Sequence, residues 1–387
     1  MKVLITTDWY RSAVNGVVTS VRNLAEGLSA LGHEVRILTL SGSIRSYREG
    51  NVTFIGSVSV GMVYPNARLR TARGEALVQE LADWKPDIVH SQCEFSTFSF
   101  AKRIAAACGC PLVHTYHTVY EDFTHYFSPN VRFGRFLAAK FSRHVLAQTD
   151  AVIVPTEKIR TMLRGYGVTR PIATVPTGLK LDAVLTPLPP AERSALRAKL
   201  GLGEDDLALT FVGRLAKEKN VSELLAFLPA APQNAKLLLV GDGPCRHELE
   251  AQVRERGLTD RVLFAGMAAP ERVADCYKAG DVFVSASRSE TQGLTYLEAM
   301  ASGLPLLCRE DDCLKGVLSP GENGFSYTTE AGFSAAVRAL QSAALRRRLG
   351  TAAQALAEAR FSEAGFARAA LAVYESCLAG AMGARAA

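Results

Sequence analysis

The sequence reads as an α/β protein of two doubly wound, Rossmann-like domains facing across a cleft, and three observations carry that expectation. Strand-like runs alternate with helical patterns along nearly the whole chain, the order that builds parallel sheets covered by helices. A Pro-rich stretch divides the alternation into two series. At 387 residues the chain is too long for one ordinary domain and comfortable for two, each able to bury its own core.

Lys2 to Thr7 is a short apolar and β-branched run, far too short for a signal peptide, and reads as the first strand. Val17, Val21, Leu24, Leu28 and Leu31 then recur at helical spacing until Gly32 closes the helix. Glu34 to Leu40 is the next strand, which completes a βαβ unit. The series continues through Asp87 to His90, Leu112 to Thr115 and Ala151 to Val154. Leu185-Thr-Pro-Leu-Pro-Pro190 cannot continue a sheet interior and reads as the boundary between an N-terminal domain, 1–184, and a C-terminal one, 191–363. In the second series Leu207 to Val212, Lys236 to Val240, Val262 to Phe264, Val282 to Ser285 and Leu304 to Cys308 are strand-like. Helical patterns at Asn220 to Leu228 and His247 to Arg256 lie between them. The Ala-rich tail, about 364–387, reads as a helix of the kind that can cross back to the first lobe.

Composition limits the function classes. Apolar residues make up 48% and charged residues 21%, and no stretch approaches the roughly 18 apolar residues that a transmembrane helix needs. The eight cysteines are scattered, with neither a Cys-x-x-Cys pair nor a zinc ligand set, as expected of reduced thiols in a cytosolic protein. Residues 1 to 178 carry a formal charge of +7 and the remainder −1, so the positive excess sits in the first half. Such asymmetry fits an anionic partner, a membrane surface or a nucleic acid, or else a solvated basic face.

The strongest constellation is Ser289-Glu290-Thr-Gln292-Gly293-Leu294 through Glu298 to Gly303-Leu-Pro305. It places Glu290 in the loop at the carboxyl end of a strand, where open α/β sheets bind ligands, and Glu298 a turn or more into the following helix. Gln292 stands beside the helix-start amides of Gly293 and Leu294, which suit a phosphate or a developing anion. Upstream, Gly213-Arg214-Leu-Ala-Lys217-Glu218-Lys219 also follows a strand. There Arg214 offers a planar fork and Lys219 a mobile point charge for a departing diphosphate. In the first half, Asn15-Gly16 lies between strand and helix, where a residue without a side chain lets phosphate approach the backbone. No Asp-x-Asp pair occurs, so nothing points to a carboxylate-held metal. Two glutamates eight positions apart also occur as solvated pairs in many helices, and it is their company that singles these out.

These segments resemble the retaining family-four glycosyltransferases of GT-B fold, and the resemblance covers nearly the whole chain. It implies that Arg214 and Lys219 bind the donor diphosphate, Glu298 the ribose hydroxyls and Glu290 the transferred sugar. His117, in His114-Thr-Tyr-His117-Thr, corresponds to a histidine near the sugar's hydroxymethyl group, and Gly16 to a glycine that touches phosphate. Many members carry two glycines where this chain has Asn15-Gly16. Members are thought to use a front-face displacement, so Glu290, His117, Arg214 and Lys219 form the expected catalytic set, with no obligatory metal and no permanently bound cofactor.

A narrower resemblance concerns the acceptor. Tyr116-His-Thr-Val-Tyr120-Glu121-Asp122 and Asp312-Cys-Leu-Lys-Gly316 look like bacterial 1,2-diacylglycerol 3-alpha-glucosyltransferases, which implies UDP-glucose as donor and diacylglycerol as acceptor. Glu121 and Asp122 would either shape the acceptor site or cap a helix. Phe133, Phe136, Leu137, Phe141 and Val145 recur at three and four among Arg132, Arg135, Lys140 and Arg143, with no acid between Asp122 and Asp150. A basic amphipathic helix of this kind can lie on anionic lipid, although aromatic positions at such spacing are more often core. Gly134 weakens the pattern and assigns part of it to a loop. The expected partners are thus a nucleotide sugar, a lipid acceptor and the inner face of the cell membrane, and not a nucleic acid. Rival readings are a transferase acting on a soluble sugar or lipopolysaccharide, a sugar-nucleotide epimerase and a non-catalytic nucleotide-binding protein. A dehydrogenase fits poorly, because Arg246 stands where Gly241-Asp-Gly243 would need a third glycine.

Overall fold

The computed structural model describes residues 1–11, 15–60, 68–71, 74–121 and 130–386. The chain divides into two compact units, Met1–Leu179 with Glu363–Ala387, and Lys180–Ser362.

The first unit is built on an eight-stranded sheet. Its order is Ile172–Thr174, Ala151–Val154, Leu112–Thr115, Ile88–Ser91, Lys2–Thr7, Glu34–Leu40, Val52–Ile55 and Tyr47–Glu49. All pairings are parallel except the last, at the edge. The interior strands are buried on both faces, which is why they read as unbroken apolar runs rather than as alternation. The edge strand Tyr47–Glu49 and the separate pair Ser57–Ser59 with Arg68–Arg70 lack such a signal: each spans three residues and is largely exposed.

The second unit carries a six-stranded parallel sheet in the order Val262–Gly266, Ala235–Val240, Leu207–Val212, Val282–Ser285, Leu306–Arg309 and Gly324–Tyr327. The chain enters at a central strand, winds outward twice, then returns to the other side. The order therefore reverses between Leu207–Val212 and Val282–Ser285. In open α/β sheets the loops that leave the two strands at such a reversal diverge and leave a crevice.

The division falls at Leu179 rather than at the Pro-rich 185–190 stretch. The short helix Asp182–Leu185 packs on Val273–Ala279 and Leu294–Ala301 of the second unit. Pro190 then starts a helix to Lys199. From it Arg193 and Arg197 reach Asp281 at 2.8 and 2.9 Å, and Arg197, nearly fully buried, also donates to the carbonyls of Ala279, Gly203 and Asp206. Proline thus begins a helix here instead of spacing two domains.

The last helix, Glu363–Ala386, belongs to the first unit. Phe366, Ala367, Ala370 and Tyr374 enter its core beside Val21, Leu24 and Leu28 of the helix Gly16–Ala30. The two helices meet at Gly27, where an added Cβ would lie 2.9 Å from the Ala367 Cβ and 3.2 Å from the Glu363 carbonyl oxygen. Because the obstruction includes backbone, the helices must separate to admit a side chain. Gly27→Leu is therefore expected to destabilise the first unit by about 1–3 kcal/mol, as overpacking does. Denaturant unfolding read by near-UV circular dichroism checks this, and an unchanged midpoint would contradict the packing.

Candidate functional site

In the second unit the predicted residues converge at the strand-order reversal. Leu207–Val212 runs into Gly213-Arg214 and a 3-10 turn at Lys217–Lys219, while Val282–Ser285 runs into the loop that carries Glu290. Lys219 Nζ donates to Glu290 Oε1 at 2.5 Å, and both side chains are largely buried. Burial opposes charge on the lysine, but the adjacent Glu290 carboxylate outweighs it and holds the ammonium above the ordinary lysine range. The mobile point charge read from sequence is thus a paired one. Ser287 and Ser289 each donate a hydroxyl to the Glu218 carbonyl at 3.3 Å and stitch the two loops together. Arg214 lies in the same loop as Lys219 and is exposed.

Beyond Glu290 the chain turns through Gln292, which is buried, and Gly293, whose φ of +73° is a left-handed conformation that suits glycine. A Cβ there would stand 2.6 Å from the Tyr296 ring. The helix Leu294–Ala301 begins at once, and no side chain caps it. Its first amides are therefore left to water or to a ligand, and the helix dipole favours an anion at that point. One turn on, Glu298 accepts a hydrogen bond from the Tyr277 hydroxyl at 2.7 Å. Burial raises the carboxyl group's pKa and the Tyr277 bond only partly offsets this. A half-buried carboxylate aimed by one tyrosine is suited to accept hydroxyl donors.

Sequence reasoning took Gly241 and Gly243 as an incomplete dinucleotide fingerprint; their place in the fold is different. A Cβ on Gly241 would lie 1.9 Å from the Gly213 carbonyl oxygen, and one on Gly243 2.4 Å from that of Leu215. The loop after Ala235–Val240 therefore lies backbone to backbone on the Gly213–Leu215 loop, bonded through Leu215 N to Asp242 O at 3.0 Å and Cys245 N to Leu215 O at 2.9 Å. These glycines support the strand end from which Arg214 projects.

The first unit repeats the pattern at its own reversal, between Lys2–Thr7 and Ile88–Ser91. Gly16 is the first residue of its helix, but Asn15 already caps it, accepting from Val18 N at 3.0 Å. One donor at that helix start is therefore occupied, unlike at Leu294. His117, two residues past Leu112–Thr115, places its Nε2 2.6 Å from Gln92 Oε1. Burial outweighs the pull of Glu94 and lowers the His117 pKa to about 4, so its ring is neutral near pH 7. Glu94 accepts from the Tyr120 hydroxyl at 2.7 Å and lies 3.3 Å from His114 Nε2. Burial raises the Glu94 pKa, but His114, Tyr120 and His117 together bring it below the ordinary glutamate value. Gln92 and Glu94 were absent from the sequence-based set; their position at the carboxyl end of a central strand was the available signal.

Tyr120 faces inward onto Glu94 and so orders the site rather than lying on its rim. Glu121 accepts from Tyr166 at 2.6 Å and pairs with Arg135 at 3.3 Å. It therefore caps no helix through those bonds. Asp122 lies outside the described residues. The helix Val131–Leu146 runs unbroken through Gly134, which is buried, and Asn130 caps it by accepting from Phe133 N. The expected loop at Gly134 is not there: the residue is buried within the continuous helix. Val145 is buried and Phe141 packs on Phe95 and Tyr120, so part of the aromatic stripe is core. Phe133 and Phe136 are not: 55% and 60% of their surface is exposed, among exposed Arg132, Arg135, Lys140 and Arg143. No helix of the described residues is long and apolar enough to cross a membrane.

Residues 14–183 match the family described as Glycosyltransferase Family 4, and residues 192–356 that described as Glycosyl transferases group 1. A Streptococcus pneumoniae protein named alpha-monoglucosyldiacylglycerol synthase is 35% identical over 343 residues, 87% of this chain and 77% of its own length. Its Acholeplasma laidlawii namesake is 32% identical over 343 residues, 84% of this chain and 85% of its own. The crystal structure of Anabaena Alr3699/HepE in complex with UDP and glucose aligns with 97% of this chain and 100% of its own, with a TM-score of 0.76 at 18% identity, a likeness of fold. With both halves matched and relatives aligned over most of their length, the chain belongs to glycosyltransferase family 4 and is a glycosyltransferase of GT-B fold.

Proposed function

We propose that this glycosyltransferase moves glucose from UDP-glucose to diacylglycerol with retention, forming an alpha-linked glycolipid at the inner face of the cell membrane. The observation that carries the lipid acceptor is the exposed pair Phe133 and Phe136 among four cations on one helix of the first unit. Water disfavours both rings, while an anionic interface accepts rings and cations together. The names of the Streptococcus and Acholeplasma relatives support the same acceptor and donor sugar, and the solved structure that holds UDP and glucose supports the donor.

In this reading Arg214 and Lys219 take the diphosphate, with Gly213, Gln292 and the Gly293 and Leu294 amides around it and Gly16 touching phosphate from the first unit. Glu290 holds the transferred sugar, Glu298 the ribose hydroxyls and His117 the sugar's hydroxymethyl group. The bond from anomeric carbon to phosphate oxygen breaks as the acceptor oxygen attacks on the same face. The acceptor's proton passes to the departing diphosphate. Charge on that diphosphate grows only in the transition state, so cations and amides fixed beside it accelerate the step. The Lys219–Glu290 pair keeps the lysine charged and both side chains in place before the donor arrives. Arg214 and Lys219 supply the positive charge, and the reaction requires no metal ion.

Incubation with a panel of sugar nucleotides and diacylglycerol vesicles, with mass analysis of the extracted lipid, is expected to yield hexosyl-diacylglycerol from UDP-glucose, unaffected by EDTA. An altered sugar nucleotide with no new lipid would overturn the reading. Lys219→Ala should lower kcat by about 100-fold or more while the protein stays folded, the cost of removing one transition-state donor. The double variant Phe133→Ser, Phe136→Ser should bind vesicles containing anionic lipid at least about tenfold more weakly, measured by co-sedimentation, since each ring contributes more than 1 kcal/mol when buried.

A further inference from the structure

Behind His117 the first unit contains a buried polar chain that takes no part in the proposed bond-making and bond-breaking. His90 is fully buried, and each of its ring nitrogens faces a hydroxyl: Nδ1 lies 2.6 Å from that of Tyr374, on the last helix, and Nε2 2.7 Å from that of Thr115. The Gln92 amide nitrogen lies 3.1 Å from His90 Nε2 and 3.4 Å from Nδ1. With its nitrogen turned toward His90, the amide presents its oxygen to His117 Nε2, 2.6 Å away. Gln92 itself is 1% exposed, so water does not compete for either end.

A carbonyl oxygen only accepts, so the nitrogen it faces must carry the proton. A neutral imidazole carries one proton, and His117 Nδ1 is then left with a lone pair. We infer that Gln92 is a positioning residue. Its side-chain carbonyl holds His117 as the Nε2–H tautomer, so that Nδ1 accepts a hydrogen bond from a hydroxyl of the bound sugar. His90, clamped by Tyr374 and Thr115, fixes which way the Gln92 amide points. The inference rests on the proposed place of His117 beside the transferred sugar.

Why the chain uses an amide here follows from the neighbours. Among the described residues, the titratable groups that act on His117 are Glu94 and His114, with His90 behind Gln92. Glu94 is spoken for by His114 and Tyr120. A second carboxylate at position 92 would attract a proton onto His117 and convert the acceptor nitrogen into a donor. Glutamine has the reach of glutamate without the charge, so the ring stays neutral and its orientation is still fixed.

The test uses the full chain labelled with 15N-histidine, with the His117 signals assigned from the His117→Ala spectrum. Wild-type His117 should show the neutral Nε2–H pattern down to roughly pH 5. Gln92→Glu should raise its titration by about 1–3 pH units, the effect of an opposite charge at this range. The acidic limb of the kcat profile should move by the same amount, while KM for the donor changes less than twofold. Gln92→Met, similar in length and unable to accept a strong hydrogen bond, should leave His117 as a mixture of tautomers. That variant and the wild-type spectrum decide the matter if the glutamate variant does not fold. An Nδ1–H pattern in the wild type, or a titration that Gln92→Glu does not move, would overturn the inference. If instead His117→Ala keeps full turnover, the proposed role of His117 at the sugar fails, whatever the spectra show.

Discussion

The pairing of Lys219 with Glu290 is the contact on which the donor side of this protein depends. Neither residue is costly alone in water, but both lie where solvent is scarce, and an unpaired charge there would lose its hydration without return. Together they form a compact, polarised patch at the place in the second unit's sheet where two neighbouring strands send their loops in opposite directions. The serines that bond to the Glu218 carbonyl tie its two loops together, and the left-handed Gly293 leads into the uncapped helix beside it. Cations and carboxylates thus stand side by side, a combination suited to a ligand that is anionic at one end and rich in hydroxyls at the other.

The first unit handles polarity differently. Its strand ends carry histidine, glutamine, glutamate and tyrosine rather than lysine and arginine, and most of these groups satisfy one another. Burial keeps His90 and His117 uncharged, so the network conveys orientation and not charge. The strand ends of one unit thus present charged side chains, and those of the other neutral, oriented donors and acceptors.

Much of this was legible in the order of residues. Buried parallel strands announce themselves as apolar runs, and so Lys2–Thr7, Glu34–Leu40 and Leu207–Val212 could be placed without coordinates. The loops bearing Arg214, Lys219 and Glu290, and the helix bearing Glu298, followed from where those runs stop. What stayed hidden depends on distance in three dimensions. That Lys219 meets Glu290, 71 positions on, is a consequence of strand order, which spacing does not encode. The role of Gly241 and Gly243 is a backbone contact with another loop, and Gln92 carries no motif at all. Edge strands of three exposed residues and the helix that ignores Gly134 escaped for the opposite reason: there the surroundings overrule a weak local preference.

The unit that contains His117 is assembled from two separated segments, whereas the other is a single uninterrupted one. Residues 180 to 362 can therefore reach their full core as soon as they leave the ribosome. The segment made before them waits, with the sockets for Phe366, Ala370 and Tyr374 unfilled, until Glu363–Ala386 is translated. The first unit, with the contact between Tyr374 and His90, therefore closes only after the second unit has been made.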